Sequence, residues 1–274
     1  MMKPLLKVFL VCLLCLTPTH LSAGKQEPQL QQSDGNNIKT SASTKIAAEK
    51  ILTGSKAWAI GCSAVLIERN HEQLDTLATR QITKSNVDSV KELLDTFWGI
   101  KSNKDLMESL SWLETGGHRR QFDQAVFEVT SLSDEQFKIL AGKTGNYDGL
   151  QKIQLAREYG KKLSKTSILG WDYCRYIAVC RWGYTAGYIS EEDAWAKIMP
   201  VARELQKTFN SWEGLACNFI IGRQFWSYKE TLESGPDIED AVVRLLDMPS
   251  SPWNKYPWNM NLDLDNDAND TGKK

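Results

Sequence analysis

The sequence predicts an all-α protein, a multi-helix globular domain with a buried central helix and short antiparallel connections. Three observations carry that expectation. Apolar residues recur at steps of three and four along most of the chain; no stretch alternates with period two for long enough to argue a sheet; and Ser, Asp and Gly stand where helices have to start and stop.

In chain order, a first helix is expected from Ser43 to about His71, carrying Ile46, Ile51, Trp58, Cys62, Val65 and Leu66, with Gly54 and Gly61 as weak points. A second covers Val87 to Trp98. A third follows Ser102, an N-cap with Asp105 three residues on, and stops at Gly116 and Gly117. The stretch from Phe122 to Tyr159 is less regular: Ser133 caps a helix through Leu140, and Gly142, Gly145 and Gly149 read as breaks.

Leu169 to Ala186 is apolar nearly all round its helical wheel, as a central helix buried on several sides must be. Gly187 ends it. Ser190 with Asp193 opens the next helix, whose Trp195, Ile198, Ala202, Leu205 and Phe209 form one seam and whose Pro200 removes a backbone hydrogen bond. A further helix is expected to start at Asn210, with Glu213 in the reciprocal capping position, and to run to about Tyr228 along Leu215, Phe219, Gly222 and Trp226.

The two ends differ in character from this helical body. Residues 1–23 have two lysines, a short apolar run and a polar stretch closing in Leu21, Ser22 and Ala23, the pattern of a secretory signal peptide cut before Gly24. A lipid-anchored reading would use Cys15, but Leu14 is bulky where a small residue is expected. Residues 24–44 are Gln, Ser, Asn, Gly and Lys with little to bury, a polar leader expected to be disordered. Residues 45–258 form a single helical domain, and 259–274 an acidic tail expected to fray. The expected setting is therefore periplasmic or extracellular, with no transmembrane helix in the mature chain.

A formal net charge of −1 gives no electrostatic case for nucleic acid or an anionic membrane. Cys62, Cys174, Cys180 and Cys217 remain after export, and buried thiols and one disulfide are both open readings. No Cys/His cluster suggests a metal, and no cofactor is expected. Asp263, Asp265 and Asp267 look like the start of a calcium loop, but Ala268 replaces its turn glycine and Lys274 its bidentate Glu, so they read as tail. There is no Gly-rich phosphate loop and no Gly-x-Ser-x-Gly turn.

Several rare Trp and Gly positions occur in a specific order: Trp171-Asp172, Arg181-Trp182-Gly183-Tyr184, Ala186-Gly187-Tyr188-Ile189-Ser190, Gln206-Lys207-Thr208-Phe209, Ser211-Trp212-Glu213 and Gly222-Arg223-Gln224-Phe225-Trp226-Ser227. Trp58-Ala59, Phe97-Trp98-Gly99-Ile100, Trp112-Leu113, Gly116-Gly117-His118-Arg119 and Ser251-Pro252-Trp253 extend the pattern. Over about Ser55 to Trp258 the chain resembles a bacterial family catalogued as domain of unknown function 1266. The resemblance implies a helical domain; it supplies no activity and no catalytic residue. The export segment departs from the cytoplasmic setting expected of many such relatives.

Asp172 and Arg175 sit three apart on the central helix, with Arg181 further along it. Buried there, they need partners, and Arg203, Glu213 and Arg223 on the following helices are the candidates. An internal ion-pair network fixing helix register is the plainer reading of this cluster, and capping the plainer reading of Glu213. The functional reading is a cleft rimmed by Trp171, Trp182 and Trp226 that holds an anionic or sugar-like ligand, Arg supplying a planar grip and Trp a stacking face; core packing is the competing one. His118, after two glycines, is either a base or metal ligand or a solvated or capping group.

On function, the expectation is a non-catalytic exported module of the cell envelope that binds a protein or a small anionic ligand. The rivals are a hydrolase using Asp172 or Glu213 as acid or base with Arg175 or Arg223 stabilising an anion, and an immunity-type antagonist of a toxin.

Overall fold

A computed structural model of the chain describes residues 50–263. The segments read as signal peptide and polar leader, the start of the expected first helix, and Asp265 and Asp267 of the expected tail lie outside the described residues. Among the described residues there are helices and no strand, as the spacing of apolar residues predicts. They are α1 (Gly54–Gly61), α2 (Ala64–Arg69), α3 (Lys84–Trp98), α4 (Asn103–Thr115), α5 (Arg119–Thr130), α6 (Asp134–Lys143), α7 (Tyr147–Tyr159), α8 (Leu169–Thr185), α9 (Glu191–Thr208), α10 (Trp212–Trp226), α11 (Tyr228–Asp247) and α12 (Pro252–Lys255).

The central helix is α8. Fourteen of its seventeen residues are buried, including Asp172, Arg175 and Arg181. Helices α4, α9 and α10 pack most extensively against it, with α2 and α3 adding smaller contacts. The seam expected on α9 holds: Trp195, Ile198, Ala202, Leu205 and Phe209 are all buried. Ile177 of α8 and Phe219 of α10 are fully sealed, and each such side chain contributes roughly 1.5–3 kcal/mol of hydrophobic stabilisation.

Local capping starts many of the helices. Ser102, Ser133 and Ser190 accept from the backbone N–H of Asp105, Gln136 and Asp193, and Ser133 with Gln136 completes a capping box. Thr83 caps α3 in the same way, and the helix starts at Lys84, three residues before the expected Val87.

Four expectations are corrected. The helix from Ser43 to His71 is not continuous: residues 50–53 are extended, α1 starts at Gly54 with φ +61°, and the chain breaks again after Gly61. A Cβ on Gly61 would sit 3.3 Å from both Pro252 and Trp212, so the break falls where another segment crosses closely. The irregular stretch is in fact α5, α6 and α7, with Gly142 inside α6 and Gly149 in the first turn of α7 behind the Asn146 cap. The cap of α10 is Ser211, not Asn210, so Glu213 is not in the reciprocal position. The packed chain also runs past Trp258, because Leu262 is buried and the carbonyls of Trp258 and Met260 accept from Gln206.

Cys62, Cys174 and Cys180 are fully buried free thiols, and Cys217 is partly exposed. Among the described residues no helix is long and apolar enough to cross a membrane, and no group of three or more His, Cys, Asp or Glu is placed to hold a metal ion.

Candidate functional site

Nine of the ten tryptophans fall into two groups, and Trp195 stands apart, donating its indole N–H to Glu191. Trp58, Trp212, Trp253 and Trp258 pack ring against ring with centroids 4.8–5.8 Å apart. Each donates to a carbonyl, those of Pro257, Tyr256, Gly61 and Phe209 respectively. That cluster is a finished piece of core, with every polar tip paired.

Trp98, Trp112, Trp171, Trp182 and Trp226 instead line one cleft of about 410 Å³ between α2, α3, α4, α8 and α10. Trp171, Arg175 and Trp182 fall at steps of four and seven, a single stripe on α8, and Arg223 and Trp226 fall one turn apart on α10. The close approach of the two helices depends on Gly222, whose Cα leaves no room for a Cβ against Trp171. The remaining wall includes Phe97 and Leu93 of α3, Leu66 and Arg69 of α2, and His118. Phe97 and Trp112 are 78% and 42% exposed, so the aromatic lining continues to the mouth. Among the described residues, no carboxylate lines the cleft, while three arginines do: Arg69, Arg175 and Arg223.

Arg175 is the floor of this arrangement. Its guanidinium lies 4.2 Å from the Trp171 ring centre and 5.4 and 5.8 Å from those of Trp98 and Trp112, a cation enclosed by π faces. Its Nη2 donates to Asp172 Oδ1 at 2.8 Å and to His118 Nδ1 at 2.7 Å, and its Nε to the Trp171 carbonyl. Burial pulls the Arg175 pKa down to about 10, against the pull of Asp172, so the group stays charged at neutral pH. A guanidinium has no acceptor, so His118 Nδ1 must be the acceptor and the imidazole proton sits on Nε2. Burial, and then the Arg175 charge, hold the His118 pKa below its usual value, consistent with a neutral ring.

Asp172 itself is sealed from solvent and faces away from the cleft, toward the start of α5. Its two oxygens accept from the backbone N–H of His118 and Arg119, both at 3.0 Å, and from the guanidinium of Arg119 at 3.2 Å. It therefore caps α5 from another helix, where His118 offers no side-chain cap of its own. Burial raises its pKa, but the Arg175 charge and the backbone N–H groups of Arg119 and His118 outweigh that and hold the carboxyl below its ordinary range. Arg119 closes the α4–α5 corner by donating to the Leu113 and Glu114 carbonyls at the end of α4.

The expected six-residue cluster does not converge. Arg181 lies elsewhere along α8, fully buried, and its guanidinium is spent on Ser63 Oγ and the carbonyls of Gln73, Thr76 and Leu77, pinning the segment before α3. Arg203 pairs with Asp263 at 3.0 Å and holds the C-terminal segment, and Glu213 is exposed in the first turn of α10. Arg203 and Glu213 have no part in the ion pair because their helix phases turn them outward. Of the expected cluster, Asp172 pairs with Arg175, while Arg175 and Arg223 both reach the cleft. All three expected stacking residues, Trp171, Trp182 and Trp226, line it.

Sequence reasoning missed Arg69, Trp98, Trp112 and Arg119, and treated His118 as solvated or capping by default. Arg69 carries no local signal, being one basic residue in the last turn of a short helix. The other four were visible only as members of the Phe97-Trp98-Gly99-Ile100, Trp112-Leu113 and Gly116-Gly117-His118-Arg119 motifs, which the fold brings to one place.

Two buried donors at the cleft have no acceptor among the described residues: Trp171 Nε1 and Arg69 Nε. Nearby, Trp182 is satisfied, its Nε1 donating to Glu72 at 2.8 Å. Burial and then the charge of Arg69 depress the pKa of Arg223, which places the two guanidiniums within each other's field.

Fold and site together define an all-α domain built on a buried central helix, with an aromatic, arginine-lined cleft beside it. The chain belongs to the family described as protein of unknown function (DUF1266), whose model matches residues 93–258. It is also similar to the uncharacterized protein YbeU of Escherichia coli (strain K12), 25% identical over 157 residues, covering 56% of this chain and 65% of that protein. The match thus spans just under two thirds of that relative's length. No solved structure matches the chain.

Proposed function

We propose that this protein is a non-catalytic, exported binding module whose cleft takes a small anionic ligand. The observation that carries the reading is the cleft's charge: Arg69, Arg175 and Arg223 line it with no carboxylate among them. Clustered guanidiniums favour an oxyanion, which they grip in a planar, bidentate manner.

The hydrolase reading is weaker for a geometric reason. Asp172 is sealed and already accepts from four donors, and Glu213 lies in solvent, so neither stands where an acid or base meets a ligand in the cleft. Export rests on the N-terminal sequence pattern alone.

Thermal melts of the purified chain with a panel of small carboxylates and phosphates, each beside its neutral analogue, test the binding reading. Stabilisation by anions alone is expected, the ligand being recovered unchanged; equal response to neutral analogues would overturn it. Fractionation of cells carrying the C-terminally tagged chain tests export, which fails if the tag stays in the cytoplasm at full length.

A further inference from the structure

We infer that the ligand is a planar aromatic acid, its oxyanion seated at Arg69 and Arg223 and its ring system laid against Trp171 and Trp226. The inference rests on the reading of the cleft as an anion site and goes further by assigning the body that carries the charge.

The lining is rich in rings. Among the described residues, Phe97 and five tryptophans line it, beside Leu66 and Leu93 as aliphatic side chains. A ring system presents π faces and edges that indoles meet by offset or edge-on stacking, whereas an acyl chain finds no such complement. The indoles of Trp171 and Trp226 have centroids 5.8 Å apart and planes inclined by only 31°, and His118 adds a third ring 6.4–6.5 Å from each. These rings are held by the fold: Gly222 seats Trp171 against α10, and the Arg175 cation stacks on its face.

The charged end follows from the polar groups. Arg175 is committed to Asp172 and His118, so it is the less available cation. Arg69 has its Nε buried without an acceptor, lies in the field of Arg223, and Trp171 Nε1 is a further unmet donor. Two guanidiniums suit an oxyanion better than a neutral hydroxyl. A volume of about 410 Å³ accepts a bicyclic ring with its acid group, at the small end of ligand sites.

Calorimetric titration of the purified chain with 2-naphthoate, octanoate, glucuronate and 2-naphthalenemethanol tests the inference. Naphthoate is expected to bind at least tenfold more tightly than each of the other three, and Arg69→Gln to weaken naphthoate at least tenfold while leaving the melting temperature unchanged. Octanoate or glucuronate binding as tightly as naphthoate would overturn the aromatic assignment and leave the anion site standing. Naphthalenemethanol binding as tightly as naphthoate, or no binding of any of the acids, would overturn the anion site and the aromatic assignment with it. Loss of naphthoate binding in Trp226→Leu but not in Arg69→Gln would move the oxyanion away from Arg69 and overturn the seating proposed for it.

Discussion

Asp172 Oδ1 and Arg175 Nη2 lie 2.8 Å apart within one turn of α8, an ion pair inside the buried central helix. The carboxylate also holds the first N–H groups of α5, so a single residue joins two helices. Asp172→Ala should therefore cost more than an ordinary core truncation: it leaves the Arg175 charge without its partner and the α5 terminus uncapped. Breaking a buried pair by removing one member typically costs about 3–5 kcal/mol. Urea unfolding should show a loss of that order, and a loss below roughly 1 kcal/mol, the value of an exposed pair, would contradict the structural role.

That pair marks how far the sequence could be read. The helices whose starts depend on their own residues were legible: Ser102, Ser133 and Ser190 each cap the backbone three residues on, a bond settled within four residues of chain. The apolar wheel of α8 was legible for the same local reason. The break between α1 and α2 was not, because Gly61 yields to Pro252 and Trp212, residues far away in sequence. The tryptophans of the cleft were visible as rare residues on helical seams, but nothing local fixes the phase of one helix against the next. Hence Arg203 and Glu213 were expected inside and lie outside, and Arg69, which faces the cleft, gave no signal.

Gly222 allows α10 to press against Trp171, and Gly222→Ala sets two effects against each other. Alanine gains about 1 kcal/mol of helix propensity over glycine. A methyl group forced into the Trp171 side chain costs about 1–3 kcal/mol of overpacking. The clash meets a ring already covered by the Arg175 guanidinium and met edge-on by Phe219, which cannot give easily, so a net loss is expected. Urea midpoints should fall and the near-ultraviolet circular dichroism of the indoles should change; a stabilised variant with an unchanged spectrum would show that Trp171 shifts freely.

His118 gives the fold a pH dependence of definite sign. Its pKa in the folded chain is below the ordinary 6.5, chiefly through burial, so the folded state resists a proton that the unfolded chain accepts. Stability is therefore full above about pH 6.5 and declines as pH falls from there toward the folded pKa, since the unfolded state then binds more protons. Asp172, depressed from 3.8, adds a second loss at lower pH. In His118→Gln, which keeps an acceptor but does not titrate, the decline between pH 7.5 and 5 should be smaller than in the parent. An identical slope would remove His118 as its source.

Arg69 and Arg175 line the same cleft but should respond oppositely to loss of charge. Arg175→Met strands Asp172, a buried carboxylate that keeps only Arg119 as a cationic partner, and a loss of several kcal/mol is expected, about 3–5 by the general cost of a broken buried pair. Arg69→Met keeps the apolar stem, removes a buried Nε that has no acceptor, and relieves the repulsion felt by Arg223. An unsatisfied buried donor costs about 1–3 kcal/mol, so this variant should be as stable as the parent or more so. Added salt provides an independent check: it screens the Arg69–Arg223 repulsion, so it should raise the melting temperature of the parent more than that of Arg69→Met. If Arg69→Met instead destabilises the protein and abolishes no salt response, Arg69 is a packing residue. A side chain that costs stability while facing a cleft is what a binding residue leaves in the folded state, because the interaction that offsets the cost arrives with the ligand.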